Sequence, residues 1–235
     1  NQIKEAVFTI NPFLYAIAVF LYIPVIMFKA LRWKTIMDTQ NIHYSFRDSF
    51  LMYGASYMLA LVTPGRIGEF SRAAYLKKDN YSTGQVFLGN FLDKIFDVFF
   101  VVVFALISFA FLPFVPRFNV NYLELGKWAL LGALVLGLVV FIFYALNKER
   151  FYDFIKEIFT DLKKFGVIDA FLLFLITAGS WMSFFAIVYF IGASIGVAQI
   201  TGFLYLAFAA AVVNATGFLP ISVLNIGTRE LILLF

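Results

Sequence analysis

Residues 49–72 read SFLMYGASYMLALVTPGRIGEFSR. The apolar run Ser49–Val62, about 14 residues, stops at Thr63-Pro64-Gly65, with Arg66, Glu69 and Arg72 immediately behind it. A helix needs roughly 20 mostly apolar residues to cross the hydrocarbon core of a bilayer. The run is too short for that, and its length fits a re-entrant or half-membrane helix. The alternative is one long tilted helix that continues through Pro64. The choice between them sets the topology of everything around this stretch.

The surroundings are those of a membrane. The chain is 63% hydrophobic, 20% aromatic and 14% charged, whereas soluble domains carry about 25% charged residues. Five segments are long enough to span: Phe13–Leu31, with an internal Pro24, then Ile95–Phe114, Trp128–Leu146, Phe171–Ile191 and Ile200–Phe218. The last is rich in small residues (AFAAAVVNATG), which suits close helix packing. These segments predict an all-α, polytopic transmembrane helix bundle, a single integral-membrane domain over residues 1–235. The chain begins at Asn1 without an initiator Met and closes in LILLF, so the expectation is a domain incomplete at both ends. With no cysteine and His43 as the one histidine, there is no material for a disulfide, a thiol nucleophile or a zinc site. No metal and no cofactor is expected.

Charge counting tests the re-entrant reading independently. Segment 29–48 holds four Lys or Arg, 66–94 five, 115–127 two, 147–164 five and 192–199 none. Basic loops stay on the cytoplasmic side. If Ser49–Val62 dips in and returns, loops 32–48, 66–94 and 147–169 all lie in the cytoplasm of a multi-pass protein of the cell membrane. If it crosses, the basic 32–48 loop is forced outside. Length and charge therefore agree on re-entry. Within the third loop, residues 151–165 (FYDFIKEIFTDLKKF) place apolar side chains at 151, 154, 155, 158, 159, 162 and 165, the pattern of an amphipathic interfacial helix.

The break at Pro64 has an echo. Residues 59–72 (LALVTPGRIGEFSR) and 214–230 (NATGFLPISVLNIGTRE) each run from an apolar stretch through Pro to Ile-Gly, then Arg and Glu. With 192–199 outside, the second broken segment, at Pro220 and Gly227, enters from the face opposite the first. Interrupted hydrophobic segments in corresponding halves mark transporter binding sites, so two broken helices forming an inverted repeat are expected.

The chemistry gathers at these breaks. Thr63 suits an N-cap and Pro64 a first helical position, for a helix running through RIGEFSRAAYLKK. Its free N–H groups would offer a site for an anion, with Arg66 in the first turn and Glu69 three residues from both Arg66 and Arg72. Gly65, Gly68 and Gly227 permit either tight turns or close backbone approach to a ligand. Asp93 and Asp97, flanking Lys94, share a helix face, and a third group is Asn225, Arg229 and Glu230. A charge at a bilayer centre costs roughly 2.5–3.5 kcal/mol, so these groups must pair or face a wet cavity. The bland reading is that such charges snorkel at the interface; it is preferred for Lys77, Lys78, Asp79 and the charges of 147–164.

At these residues the chain resembles the flippase-like transmembrane domain of bacterial lysylphosphatidylglycerol synthases, which also occurs as stand-alone prokaryotic membrane proteins. The family pattern Pro-x-Arg-x-Gly-Glu-x-x-Arg is matched by Pro64, Arg66, Gly68, Glu69 and Arg72. Its Glu-Arg-x-x-Asp reads Asp93-Lys94-Ile95-Phe96-Asp97 here. Its Leu-Pro, Gly-rich turn and Gly-x-Arg-Glu reads LPISVLNIGTRE, with Val223-Leu224-Asn225 where the family is richer in Gly and Pro. The resemblance implies translocation or binding of an anionic or aminoacylated phospholipid headgroup between leaflets. Arg66, Arg72 and Arg229 would engage the headgroup, Glu69 and Glu230 would hold the arginines or meet a cationic headgroup, and Asp97 would complete an internal charge network. It also implies that synthase chemistry belongs to a separate domain, fused or partnered, and that this chain is not an enzyme. A homo-oligomer is compatible, and nucleic acid is not an expected partner. Two rivals stand beside this reading. One is a membrane-embedded lipid-phosphate transferase using Glu69 or Asp97 as base and Asp93/Asp97 for a metal. The other is an accessory domain that binds lipid without moving it.

Overall fold

The computed structural model describes residues 10–77, 81, 83–111, 141, 144–163, 165–198 and 202–216. These residues are helical or in connections between helices. In chain order the helices are α1 (Pro12–Phe20), α2 (Tyr22–Thr39), α3 (Phe46–Val62), a 3₁₀ segment (Pro64–Ser71), α4 (Arg72–Lys77), α5 (Thr83–Phe111), α6 (Lys148–Leu162), α7 (Val167–Ser194) and α8 (Phe203–Thr216).

α1 and α2 form one nearly continuous rod. Pro24 has no N–H to give the carbonyl of Phe20, and the rod is interrupted there, at Leu21, before resuming. Asn11 caps its start, accepting from the Phe13 and Leu14 N–H groups at 3.1 and 3.3 Å. The Asn11 N–H in turn donates to the Ser194 carbonyl at 2.8 Å, fastening the start of α1 to the end of α7. The rod therefore runs antiparallel along α7, and Gly179 makes room for the Phe28 ring, which a Cβ would approach to 3.0 Å. α2 also packs on α3 and α5, while α8 lies against α5 and α7. There Ala207, Ala210 and Ala211 meet Phe100, Val101, Trp181 and Phe185, the close packing expected of a small-residue helix.

The distribution of polarity is inverted relative to a soluble protein. Phe13, Phe20, Met58, Leu106, Phe171 and Leu204 are each more than 60% exposed, while Arg32, Arg72, Asp93 and Asp97 are buried. An apolar exterior of this extent marks a surface made to lie against lipid or against other protein rather than water. Among the described residues two stretches, Pro12–Thr39 and Val167–Ser194, each 28 residues, are long and apolar enough to cross a membrane. They contain two of the five expected spans. The third, 95–114, falls on α5 as far as Phe111, and the last on α8, 14 residues long. Of 128–146 only 141 and 144–146 are among the described residues.

Three sequence expectations need correction. Residues 32–48 are not a loop: α2 continues to Thr39 because Arg32, Trp33, Ile36 and Met37 extend the buried stripe begun by Val25 at helical spacing. Loop 66–94 is likewise largely helical, with α5 already under way at Thr83. The segment behind Pro64 is not one α-helix but a 3₁₀ turn followed by the short α4, and Thr63 does not cap it in the usual way. Its hydroxyl donates to the Leu59 carbonyl at 3.0 Å and accepts from the Gly68 N–H at 2.8 Å, so it ties the end of α3 to the returning chain. The expected interfacial helix is present as α6; its Tyr152 and Phe159 are exposed, while Ile155 and the following Phe165 pack on the core.

α3 does not continue through Pro64. The 3₁₀ segment folds back along it, so closely that a Cβ on Gly68 would lie 2.5 Å from the Leu59 carbonyl carbon and 2.6 Å from the Ala60 nitrogen. Backbone cannot yield as a flexible side chain can. Gly68→Ala is therefore expected to destabilise the protein by roughly 1–3 kcal/mol, as overpacking does, read as a lowered midpoint of thermal unfolding in detergent. Gly54→Ala, where a Cβ meets nothing within 4 Å, serves as control and leaves the midpoint near that of the parent.

Candidate functional site

Folding back brings Glu69 and Arg72 against α5, and α2 delivers two further cations to the same place. Arg32 donates from Nε to Asp93 Oδ1 at 2.7 Å and from Nη1 to Asp97 Oδ1 at 2.9 Å. Lys29, one turn earlier, donates to Asp97 Oδ2 at 2.6 Å. From the fold-back side, Arg72 donates from Nη1 to Asp93 Oδ2 at 3.2 Å and from Nε to the Glu69 carbonyl at 2.9 Å. Lys94 donates to Glu69 Oε2 at 2.7 Å. The result is a network joining α2, the 3₁₀ segment, α4 and α5, with α7 contributing Thr177 Oγ1 at 3.4 Å from Arg32 Nη1.

Aromatic side chains complete the enclosure. The Arg72 guanidinium carbon lies 4.3 Å from the centroid of Tyr53 and 5.3 Å from that of Trp33, and a desolvated cation gains most from such faces. The Trp33 indole donates to Asn90 Oδ1 at 2.7 Å, one turn below Asp93 on α5. Lys29 and Lys94 keep 14% and 20% of their side chains exposed, so they form the rim; Arg32, Arg72 and Asp93 are enclosed.

The spacing argument for Asp93 and Asp97 holds: both lie on one face of α5, and both are buried with Arg32 between them. Arg72 reaches Glu69 through the backbone carbonyl, and its guanidinium is committed to Asp93 and the two rings. Arg66 sits near the start of the 3₁₀ segment. Asn225, Arg229, Glu230, Pro220 and Gly227 lie outside the described residues, as does most of the echo at 214–230.

Sequence reasoning missed Lys29, Arg32, Tyr53, Asn90 and Thr177. Lys29 and Arg32 carry a readable signal: they follow Val25 on a stripe that resumes at Ile36, so they belong to the buried face of a longer helix, not to a basic loop. Tyr53 and Thr177 carry none, since a single polar residue on an apolar helix is common.

Asp93 is the pivot. Replacing it with Asn leaves Arg32 and Arg72 without their shared counter-ion in the interior, and breaking a buried pair in this way costs about 3–5 kcal/mol. Asp93→Asn is expected to lower the unfolding midpoint sharply. Asp38→Asn, at the half-exposed Lys34–Asp38 pair, changes stability by no more than about 1 kcal/mol. Equal effects from the two substitutions in parallel thermal melts would contradict this assignment.

Among the described residues no three His, Asp or Glu side chains are placed to hold a metal ion. No curated protein and no solved structure matches the chain. The model of one protein family does, over residues 1–235: with its apolar exterior, its buried charges and that match along its whole length, the chain belongs to the lysylphosphatidylglycerol synthase TM region family.

Proposed function

We propose that this chain is a flippase-like domain that binds an anionic or aminoacylated phospholipid headgroup and passes it between leaflets while the acyl chains remain in the bilayer. The observation that carries the reading is the charge network inside an apolar helix assembly, fastened to a chain reversal at Pro64. Buried charges are costly to retain, and membership of a lipid-associated membrane family supplies a reason for retaining them.

In this reading the residues divide by role. Arg32, Arg72, Asp93 and Asp97 frame the site: Arg32 bonds to Asp93 and Asp97, and Arg72 to Asp93, which holds the fold-back against α2 and α5. Arg66 and the backbone N–H groups of the 3₁₀ segment meet the headgroup phosphate, and Arg229 does so from the second break. Glu69 and Glu230 steady these arginines or meet the amine of an aminoacylated headgroup. The segment from Phe46 to Lys77 is a re-entrant hairpin entering from the cytoplasmic face, within a polytopic bundle. The stretch around Pro220 enters from the other side, giving an inverted pair. The transferase reading needs a carboxylate able to act as base or metal ligand. The engagement of Asp93 and Asp97 by Arg32, Lys29 and Arg72 speaks against it.

Leaflet exchange of fluorescent phosphatidylglycerol in proteoliposomes tests the proposal. The parent chain is expected to accelerate exchange, and Arg66→Ala and Arg229→Ala to lose most of it while melting normally. Headgroup transfer by the chain alone would favour the transferase, and lipid binding without exchange the accessory domain. For the inverted pair, Gly65→Cys and Gly227→Cys in this cysteine-free chain are expected to react with an impermeant thiol reagent from opposite sides. Reaction of both from one side would end that part of the proposal.

A further inference from the structure

Helix α6 carries a pattern that the charge network does not use. At steps of four or three, its residues read Lys148, Tyr152, Lys156, Phe159 and Lys163. With about 100° of turn per residue, these five fall within an arc of about 80°. They form one stripe, alternately cationic and aromatic. The ladder holds to its end, where the Lys163 N–H donates to the Phe159 carbonyl at 3.2 Å. All five side chains are exposed, Tyr152 and Phe159 at 62% each, while Ile155 packs on the core and so fixes the rotation of the helix. The carboxylates take other positions. Glu149 and Asp153 are exposed outside the arc, and Glu157 and Asp161 continue their spacing of four along the sequence. Among the described residues none of the three lysines is in an ion pair; Lys148 lies instead over the Tyr144 ring, 5.3 Å from its centroid.

The chain on either side sets the level of this stripe. Before α6, Phe141 and Leu146 are exposed. After it, α7 opens with Val167 and Ile168 at 89% and 82% exposed, on a stretch apolar enough to cross a membrane. Its start is pinned where the Gly166 N–H donates to Asp169 Oδ2 at 3.0 Å. Four residues of chain reach at most about 14 Å, so Lys163 lies close to the level at which that stretch begins. Exposed rings among lysines are the composition of a headgroup boundary. Aromatic side chains settle there, and lysine stems lie along apolar surface with the ammonium in water.

We propose that this stripe of α6 is a docking site for acidic phospholipid in the leaflet on which the helix lies, separate from the network between α2 and α5. Tyr152 and Phe159 enter the apolar edge of the leaflet, Lys148, Lys156 and Lys163 meet the headgroup phosphates, and Glu149 and Asp153 stay in water. A zwitterionic lipid satisfies the rings; three lysines with no carboxylate in their arc select a net negative headgroup. Each lysine at an acidic membrane surface contributes roughly a fivefold factor in affinity, so the three set a preference on the order of a hundredfold. An acidic protein would match the lysines but not the exposed apolar residues that follow along the chain at Val167 and Ile168. A leaflet matches both. The site rests on α6 and the start of α7 alone, so it stands whether or not the chain moves lipid between leaflets.

Thr160→Cys, next to Phe159 and outside the arc, gives a single attachment point for a fluorophore in this cysteine-free chain. The labelled full chain is placed in nanodiscs of phosphatidylcholine with rising fractions of phosphatidylglycerol, and quenching by acrylamide, an uncharged water-soluble quencher, is followed. Quenching is expected to fall several-fold as the phosphatidylglycerol fraction rises, and to return in high salt, which screens exposed charge. In K148Q/K156Q/K163Q it is expected to stay at the phosphatidylcholine level throughout, whereas Asp153→Asn responds at least as strongly as the parent. Parent quenching that ignores phosphatidylglycerol, or a triple variant that responds like the parent, overturns the site. Protection by soluble polyglutamate but not by phosphatidylglycerol would assign an acidic protein instead. Protection that grows with protein concentration in uncharged detergent would assign a second copy of the chain, and either result displaces the lipid. Should the triple variant not fold, Lys156→Gln decides: a phosphatidylglycerol titration shifted roughly fivefold upholds the site, and an unshifted one sinks it.

Discussion

The architecture depends on Arg32 and Arg72 sharing the carboxylate of Asp93. Asp93 lies on α5, Arg32 on α2, and Arg72 just behind the fold-back, so one side chain connects three parts of the chain far apart in sequence. In water such an arrangement would be worth little. Surrounded by apolar side chains, it becomes exacting, because each partner left alone would be an uncompensated charge in a medium that solvates charge poorly. The network therefore acts less as a source of net stability than as a condition on which packings are allowed. Any arrangement of α2, α5 and the fold-back that separates these groups is excluded by several kcal/mol.

The fold-back satisfies that condition through small, local devices. Pro64 ends the helical ladder of α3, Thr63 bridges Leu59 and Gly68 with one hydroxyl, and Gly68 lets the returning backbone lie against Leu59 and Ala60. A 3₁₀ segment comes next, and its tighter winding advances the chain further per residue than an α-helix does. Arg72 then arrives beneath Tyr53 and Trp33, whose ring faces take up the side of the guanidinium that the carboxylate does not reach. Remote elements are set by comparably plain contacts, as where Asn11 joins Ser194 and Gly179 admits Phe28.

Much of this was legible from residue order. The helix break at Pro64 comes from the stereochemistry of proline, the common face of Asp93 and Asp97 from a spacing of four, and the close packing of Ala207, Ala210 and Ala211 from their size. Other features were not. Lys29 and Arg32 read as loop charges because a helix that carries arginine into an apolar interior looks, one residue at a time, like a helix that has left it. Thr63 read as a cap for the segment after it, whereas its hydroxyl serves the helix before it. Neither the α nor the 3₁₀ form of residues 64–71 could be chosen locally, since the choice depends on how far the chain must reach to bring Arg72 to Asp93.

The sequence by itself determined that the protein is helical and apolar enough for a membrane, that a helix breaks at Pro64, and that Asp93 and Asp97 share one face in apolar sequence. Each of these rests on composition and short-range periodicity, and both are properties of neighbours along the chain. Only the tertiary structure decided which charge meets which. Arg32 pairs across 61 residues with Asp93, and Lys29 across 68 with Asp97. The physical reason is that an ion pair in an apolar interior is selected by desolvation of both partners together, and that cost is defined only once the helices carrying them have been brought side by side.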